Sequence, residues 1–167
     1  MIVVADASPL IFLGKIRRLS LLRELFAADI LVPRAVCKEI LAPAIEPAEH
    51  RVLEDFLHHC QIELVPRPAS FARAMSAADN AVLTVAVRKR ADVLLCDERL
   101  TRTMAETEGI RPLGTLGVLL QATHQSILSP DQARHLVDQL VQNHNFRIGV
   151  EVYQAVIAAI EALKSDD

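Results

Sequence analysis

The chain opens on a short apolar run, Ile2-Val3-Val4-Ala5, that stops at a carboxylate, Asp6. Consecutive β-branched residues without polar alternation describe a strand buried on both faces. Ser8-Pro9 then reads as a helix start, with Ser8 as N-cap and Pro9 at the first helical position. Leu10, Ile11, Leu13, Ile16, Leu19, Leu22, Leu25 and Phe26 keep helical spacing. Lys15, Arg17, Arg18 and Arg23 fall mostly between them and describe a solvated basic face.

The same logic recurs along the chain. Ala28–Pro33 reads as a second strand and Arg34–Leu41 as a helix with Val36, Cys37, Ile40 and Leu41 inward. Pro43 and Pro47 break the chain before a helix over Ala48–Cys60. Ile62–Val65 is a third strand, closed by Pro66 and Pro68, and a short helix is expected around Phe71–Met75. Ser76 and Asp79 have capping-box spacing ahead of a helical run through Val87. Ala91–Cys96 is a second buried strand ending in an acid, Asp97, before a helix from about Arg99 to Glu108. Ile110–Leu113 is a fifth strand that Pro112 places at a sheet edge. Helices follow from Gly114 to about Thr123, from Ser129-Pro130, and from about Gly149 to Leu163, and the tail Lys164–Asp167 is expected to fray.

Strands alternating with helices predict an α/β fold, with a parallel sheet of about five strands covered on both faces. Residues 130–163 form a C-terminal helical pair with no acid at a strand end. That pair is expected to cap the sheet or to offer a dimer or partner surface.

Composition sharpens this picture. At 167 residues the chain suits one domain over 1–167, large enough to bury a core without staples. Its 51% hydrophobic content and mean hydropathy of +0.27 fit a fully covered sheet or a partner interface. No apolar run nears the ~20 residues of a membrane span. No basic stretch precedes the first apolar run, which argues against a signal peptide. The three cysteines, Cys37, Cys60 and Cys96, are widely spaced and read as reduced thiols of a cytoplasmic protein. His58 and His59 are adjacent and lack the i,i+4 spacing of a zinc site, so they read as surface residues. A net charge of −3 does not advertise nucleic-acid binding, but acids gathered in one site would account for it and leave basic residues free for phosphate. Aromatic content of 4% without Trp argues against a base-stacking platform.

Four acids stand out: Asp6 and Asp97 after buried strands, Glu39 and Asp79 on helices. Each has an ordinary explanation alone. Asp6 suits a turn, Asp97 a helix N-cap, Glu39 a helix surface and Asp79 a capping box. They converge if the strands before Asp6 and Asp97 are neighbours at a topological switch point. Oxygen-only ligands suit Mg2+ or Mn2+, and such an ion activates water and stabilises a displaced phosphate oxygen. The chain has no Gly-rich phosphate loop and no G-x-S-x-G elbow. A phosphotransfer module with Asp6 as nucleophile fits less well, because Ser8 stands where a D-x-D pattern needs its second acid.

The ordered set resembles the PIN-domain proteins, the fold of VapC-type toxins and related ribonucleases. It is most similar to the PilT N-terminal-like branch named DUF3368. The resemblance rests on Val4-Ala5-Asp6-Ala7-Ser8-Pro9-Leu10-Ile11, on Leu31-Val32-Pro33 with Val36 and Glu39-Ile40, and on Asp79-Asn80-Ala81-Val82. It continues through Ala91 to Glu98, Gly114-Thr115-Leu116-Gly117-Val118-Leu119-Leu120 and Asn145-Phe146-Arg147-Ile148. It implies a PIN-like three-layer α/β/α fold with extra C-terminal helices, and an Mg2+- or Mn2+-dependent endoribonuclease acting as the toxin of a toxin–antitoxin pair. Asp6, Glu39, Asp79 and Asp97 match the family's catalytic, metal-ligating acids. Glu98 matches a further acid able to hold a ligand through water, Ser8 a small polar position near the metal, and Arg102 a basic residue that meets phosphate. Apart from the resemblance, Lys15 and Arg17 follow the first acid closely enough in the chain to be expected to touch a substrate phosphate. RNA is the implied substrate, a small antitoxin protein the implied partner and a homodimer the implied assembly, in the cytoplasm and without a membrane. Three positions depart from the pattern: Asp79 stands for the branch's glutamate, Leu95 for a Thr or Ser, and Thr101 for a glycine. The alternative is a PIN-like RNA- or protein-binding regulatory protein with little catalysis.

Overall fold

The computed structural model describes residues 1–42 and 46–163. In chain order its elements are β1 (Val3–Ala5), α1 (Ala7–Lys15), α2 (Ser20–Phe26), β2 (Ile30–Pro33), α3 (Arg34–Ile40), α4 (Pro47–Leu57) and β3 (Gln61–Glu63). They continue with α5 (Ala77–Lys89), β4 (Val93–Leu95), α6 (Arg99–Thr107), β5 (Arg111–Leu113), α7 (Thr115–His124), α8 (Pro130–Asn143) and α9 (Val150–Ala162). The five strands form one wholly parallel sheet in the order β3-β2-β1-β4-β5. The sheet grows outward from β1 to β3, then resumes on the other side of β1 with β4. β1 and β4 therefore flank the switch point, in the register Val3↔Val93 and Ala5↔Leu95. Every residue of both strands is buried, as expected when helices cover both faces.

α5 lies on β1 and β2 and touches α3 and α6; α1 meets α3, α4 and α7. This is the three-layer α/β/α architecture of a PIN-like fold. The C-terminal pair packs against α7, with α8 and α9 also against each other. Their inward residues Leu136, Leu140, Val156 and Ile160 extend the core past the helical layer. No helix among the described residues is long and apolar enough to cross a membrane.

Several boundaries differ from expectation, each for a local reason. The first helix starts at Ala7, and Asp6 rather than Ser8 is its N-cap. Pro9 thus sits in the third helical position, where its missing N–H is still not required by the helix. The helical spacing from Pro9 to Phe26 covers two helices. The chain turns at Arg17, whose φ is +54°, while the Arg18 N–H reaches back to the Leu13 carbonyl at 2.8 Å. Ile16 and Leu19 stay buried across the turn, so the apolar spacing survives the break. The fourth helix ends at Leu57, three residues before Cys60, and begins on Pro47. β3 lies one or two residues earlier than read, at Gln61–Glu63, and leaves Leu64 65% exposed beyond it. No helix forms at 71–75. The Asn80 side chain accepts the Phe71 N–H at 2.9 Å and the Thr84 hydroxyl accepts the Ala69 N–H at 2.8 Å, so α5 holds this segment open. The break at Pro43 and the tail 164–167 lie outside the described residues. The three cysteines are free thiols, Cys96 buried and the others half-buried.

α1, α5, α6 and α7 all close with the same paired hydrogen bonds, which put one residue in the left-handed region: Arg17, Arg90, Gly109 and Ser126. Only Gly109 adopts that φ without a Cβ penalty. Arg90 is exposed, with φ +53°. Arg90→Gly is therefore expected to raise unfolding stability by about 0.5–1 kcal/mol. The measurement is a urea titration, with a higher midpoint at unchanged slope; an unchanged midpoint would mean the arginine side chain compensates for the strain.

Candidate functional site

The site begins with backbone pairing. Because Ala5 lies opposite Leu95, the residues that follow β1 and β4 leave the sheet side by side. The Asp6 N–H donates to the Leu95 carbonyl at 2.9 Å, extending the pairing past the strand. Asp6 is only 6% exposed, and its Oδ1 accepts the Ala7 N–H at 2.8 Å. No Lys, Arg or His pairs with it among the described residues. Burial pushes its carboxyl up to about 7, the charges of Asp79, Glu39 and Asp97 push the same way, and the Ala7 hydrogen bond opposes them.

Asp97, in the loop between β4 and α6, is held differently. Its Oδ1 accepts the Thr115 N–H at 2.7 Å, and its Oδ2 accepts the Thr115 hydroxyl at 2.7 Å and the Ser8 hydroxyl at 2.9 Å. It is not the N-cap of α6; that position is Glu98, whose side chain makes no capping bond.

Glu39 stands in the last turn of α3, where partial burial and then the Asp79 charge raise its pKa. Asp79 forms the expected capping box and also lines the cleft. Its Oδ2 completes the capping box by accepting the Ser76 N–H at 3.0 Å and the Ser76 hydroxyl. Its Oδ1 has no hydrogen bond among the described residues, and the side chain lines the cleft.

Asp6, Glu39, Asp79 and Asp97 open on one cleft of about 1020 Å3, together with Ser8, Glu98 and Arg102. Arg102 is half-buried and donates to the Cys96 carbonyl at 3.3 Å, with no ion pair among the described residues. Arg99 lines the same rim. Lys15 is not brought to the cleft. Its ammonium meets both Glu49 oxygens at 3.0 Å.

The cleft also has an apolar wall, which was not legible in the sequence. It is built from Phe12, Leu116, Leu120, Phe146, Val152 and Val156. Phe12 and Phe146 meet edge to face with centroids 4.7 Å apart. So α9 and the Asn145–Ile148 segment are part of the cleft. Gly114 and Thr115 also escaped attention as site residues. Their signal was a glycine at a helix start, a position with no side chain of its own to cap the helix.

The donor set suits a hard divalent cation. It offers carboxylate and hydroxyl oxygens, and it includes a buried acid with no basic partner. Among the described residues no three His, Cys, Asp or Glu side chains are gathered closely enough to form a ready-made cage.

Asp6 yields a pH prediction. Its pKa rises from 3.8 toward about 7 on folding, so its protonated form favours the native state. That contribution is whole below about 4 and is lost as pH rises through about 7. Asp6→Asn keeps the oxygen that caps α1 and removes the charge. With chelator present, this variant is expected to exceed the parent chain in stability by a few kcal/mol at pH 8 and to lose that lead at pH 4. Thermal unfolding of both proteins across this range is the check, and a pH-independent gap would contradict it.

PIN domains are in general metal-dependent nucleases, and an all-parallel five-stranded sheet with acids at its switch point suits that class. A comparison with curated proteins found none that matches the chain. The model of the family DUF3368, described as a PIN domain, matches residues 2–162. The chain thus belongs to the PIN-domain family DUF3368.

Proposed function

We propose that the protein is an Mg2+- or Mn2+-dependent endoribonuclease, and that it is the toxin of a toxin–antitoxin pair acting in the cytoplasm. The observation that carries the nuclease reading is the convergence of Asp6 and Asp97, from adjacent strand ends, on a cleft that Glu39 and Asp79 also line. In this reading Asp6, Glu39, Asp79 and Asp97 hold the cation, with Glu98 reaching it through water. The cation would supply an activated water and a counter-charge for the displaced phosphate oxygen. The chain's own residues bind and orient the substrate. Arg102, held by the Cys96 carbonyl beside Asp97, offers a guanidinium to phosphate, and Arg99 adds charge at the rim. These two replace Lys15, which is engaged by Glu49, as the basic contacts for RNA.

The toxin part rests on the family resemblance and on the apolar wall of the cleft, which suits a segment of a small antitoxin protein. A homodimer is proposed on the resemblance alone.

The test is cleavage of a mixed RNA pool by the full chain with Mg2+ or Mn2+, beside a chelator control and Asp97→Asn. Cation-dependent cutting is expected, and Asp97→Asn is expected to slow it by at least about 100-fold. Absence of cutting by folded protein at every cation concentration would overturn the nuclease. Cation-independent RNA binding without cutting would instead favour the regulatory alternative.

A further inference from the structure

The start of α7 is built around Asp97. Gly114 is the N-cap residue of that helix and has no side chain to meet its first N–H groups. The Asp97 carboxylate, from a different loop, takes that place by accepting the Thr115 N–H. Thr115 is 0% exposed, and its hydroxyl grips the other carboxylate oxygen. One residue therefore holds both oxygens, each at 2.7 Å. A carboxylate normally turns over a broad range about its last torsion. Gripped at both ends by donors with fixed positions, this one does not. Ser8 adds a second donor to Oδ2.

A carboxylate has about four lone-pair sites. The Ser8 and Thr115 hydroxyls fill Oδ2, and the Thr115 N–H takes one site on Oδ1. Oδ1 thus keeps capacity for one further partner. The close approach also explains Gly114. Its φ of −87° suits any residue, so the requirement is space. A Cβ there would lie 2.8 Å from Asp97 Oδ1 and 3.2 Å from an Arg102 guanidinium nitrogen.

We propose that Thr115 is a positioning residue, which orients Asp97 so that a single oxygen, Oδ1, is presented to a divalent cation, and that Gly114 provides the room for this arrangement. The inference rests on the nuclease reading above. The Thr115 hydroxyl is the part that can be removed without disturbing the backbone bond. A purely structural role would appear in stability and leave cation affinity unchanged.

The test uses the full chain and the variants Thr115→Val, Thr115→Ser and Gly114→Ala. Mn2+ affinity is measured by titration calorimetry at fixed pH, RNA cleavage is followed against Mg2+ concentration, and urea unfolding controls for folding. Thr115→Val is expected to weaken Mn2+ binding about 10–100-fold, with cleavage recovering as Mg2+ is raised. Thr115→Ser, which restores the hydroxyl, is expected to recover the affinity. Gly114→Ala keeps every Thr115 donor and is expected to weaken binding by displacing Asp97, so the idea stays testable if the valine variant does not fold. Thr115→Val or Gly114→Ala binding Mn2+ as tightly as the parent would overturn the positioning role while leaving the nuclease intact. A parent chain that neither binds Mn2+ nor cuts RNA would overturn the nuclease reading itself.

Discussion

Parallel pairing between β1 and β4 is the constraint on which the rest depends. These strands are far apart in sequence, yet their register puts Ala5 opposite Leu95 and lets the chain exit the sheet twice at one place. Strand ends at a switch point diverge because the connecting helices leave to opposite sides, and the gap between them forms a crevice. Asp6 and Asp97 are the residues that enter it. Neither strand contributes polar side chains of its own, so the first polar groups at these strand ends are the two acids. Glu39 and Asp79 then need only modest placement, one at the end of a helix and one at the start of another, to face the same space.

The two strand-end acids are held in opposite ways. Asp97 is surrounded by donors from α1 and α7, so its geometry is prescribed. Asp6 is buried with a single backbone N–H and three neighbouring carboxylates, so its charge is disfavoured by the fold. An acid with a pKa near 7 in the absence of a cation is a locally unstable arrangement that a cation would relieve. The fold gives up stability at the place where binding would recover it, a common bargain at functional sites.

The strand-acid-helix segments were the most readable parts of the chain, because a buried parallel strand leaves an unmistakable apolar run and a following carboxylate interrupts it. The five strands, their parallel arrangement and the edge position of Pro112 follow from that pattern. Features set by single backbone angles or by distant partners were not readable. The turn at Arg17 has no Gly or Pro to announce it, since Arg17 takes up the left-handed conformation itself. The open segment before Met75 depends on side chains of α5 that accept its N–H groups. Lys15 had the right charge on the right helix, but it stands at the far end of α1, within reach of Glu49. Thr115 carries no charge and lies next to no acid in sequence, so only the folded chain reveals that it holds Asp97.

That hidden contact also ties the two halves of the cleft together. α7 receives Asp97 at its first residue and presents Leu116 and Leu120 to the apolar wall. The same helix packs against α8 and α9, and α9 supplies Val152 and Val156 to that wall. Asp97 and part of the apolar wall are thus both tied to α7. A group that engages Asp97 meets a carboxylate anchored to α7, and a segment that fills the apolar part of the cleft meets Leu116 and Leu120 of the same helix. Occupants of the two halves therefore share a mechanical support. Because packed helices shift as units rather than deform continuously, the placement of α7 sets the geometry of both parts of the cleft at once.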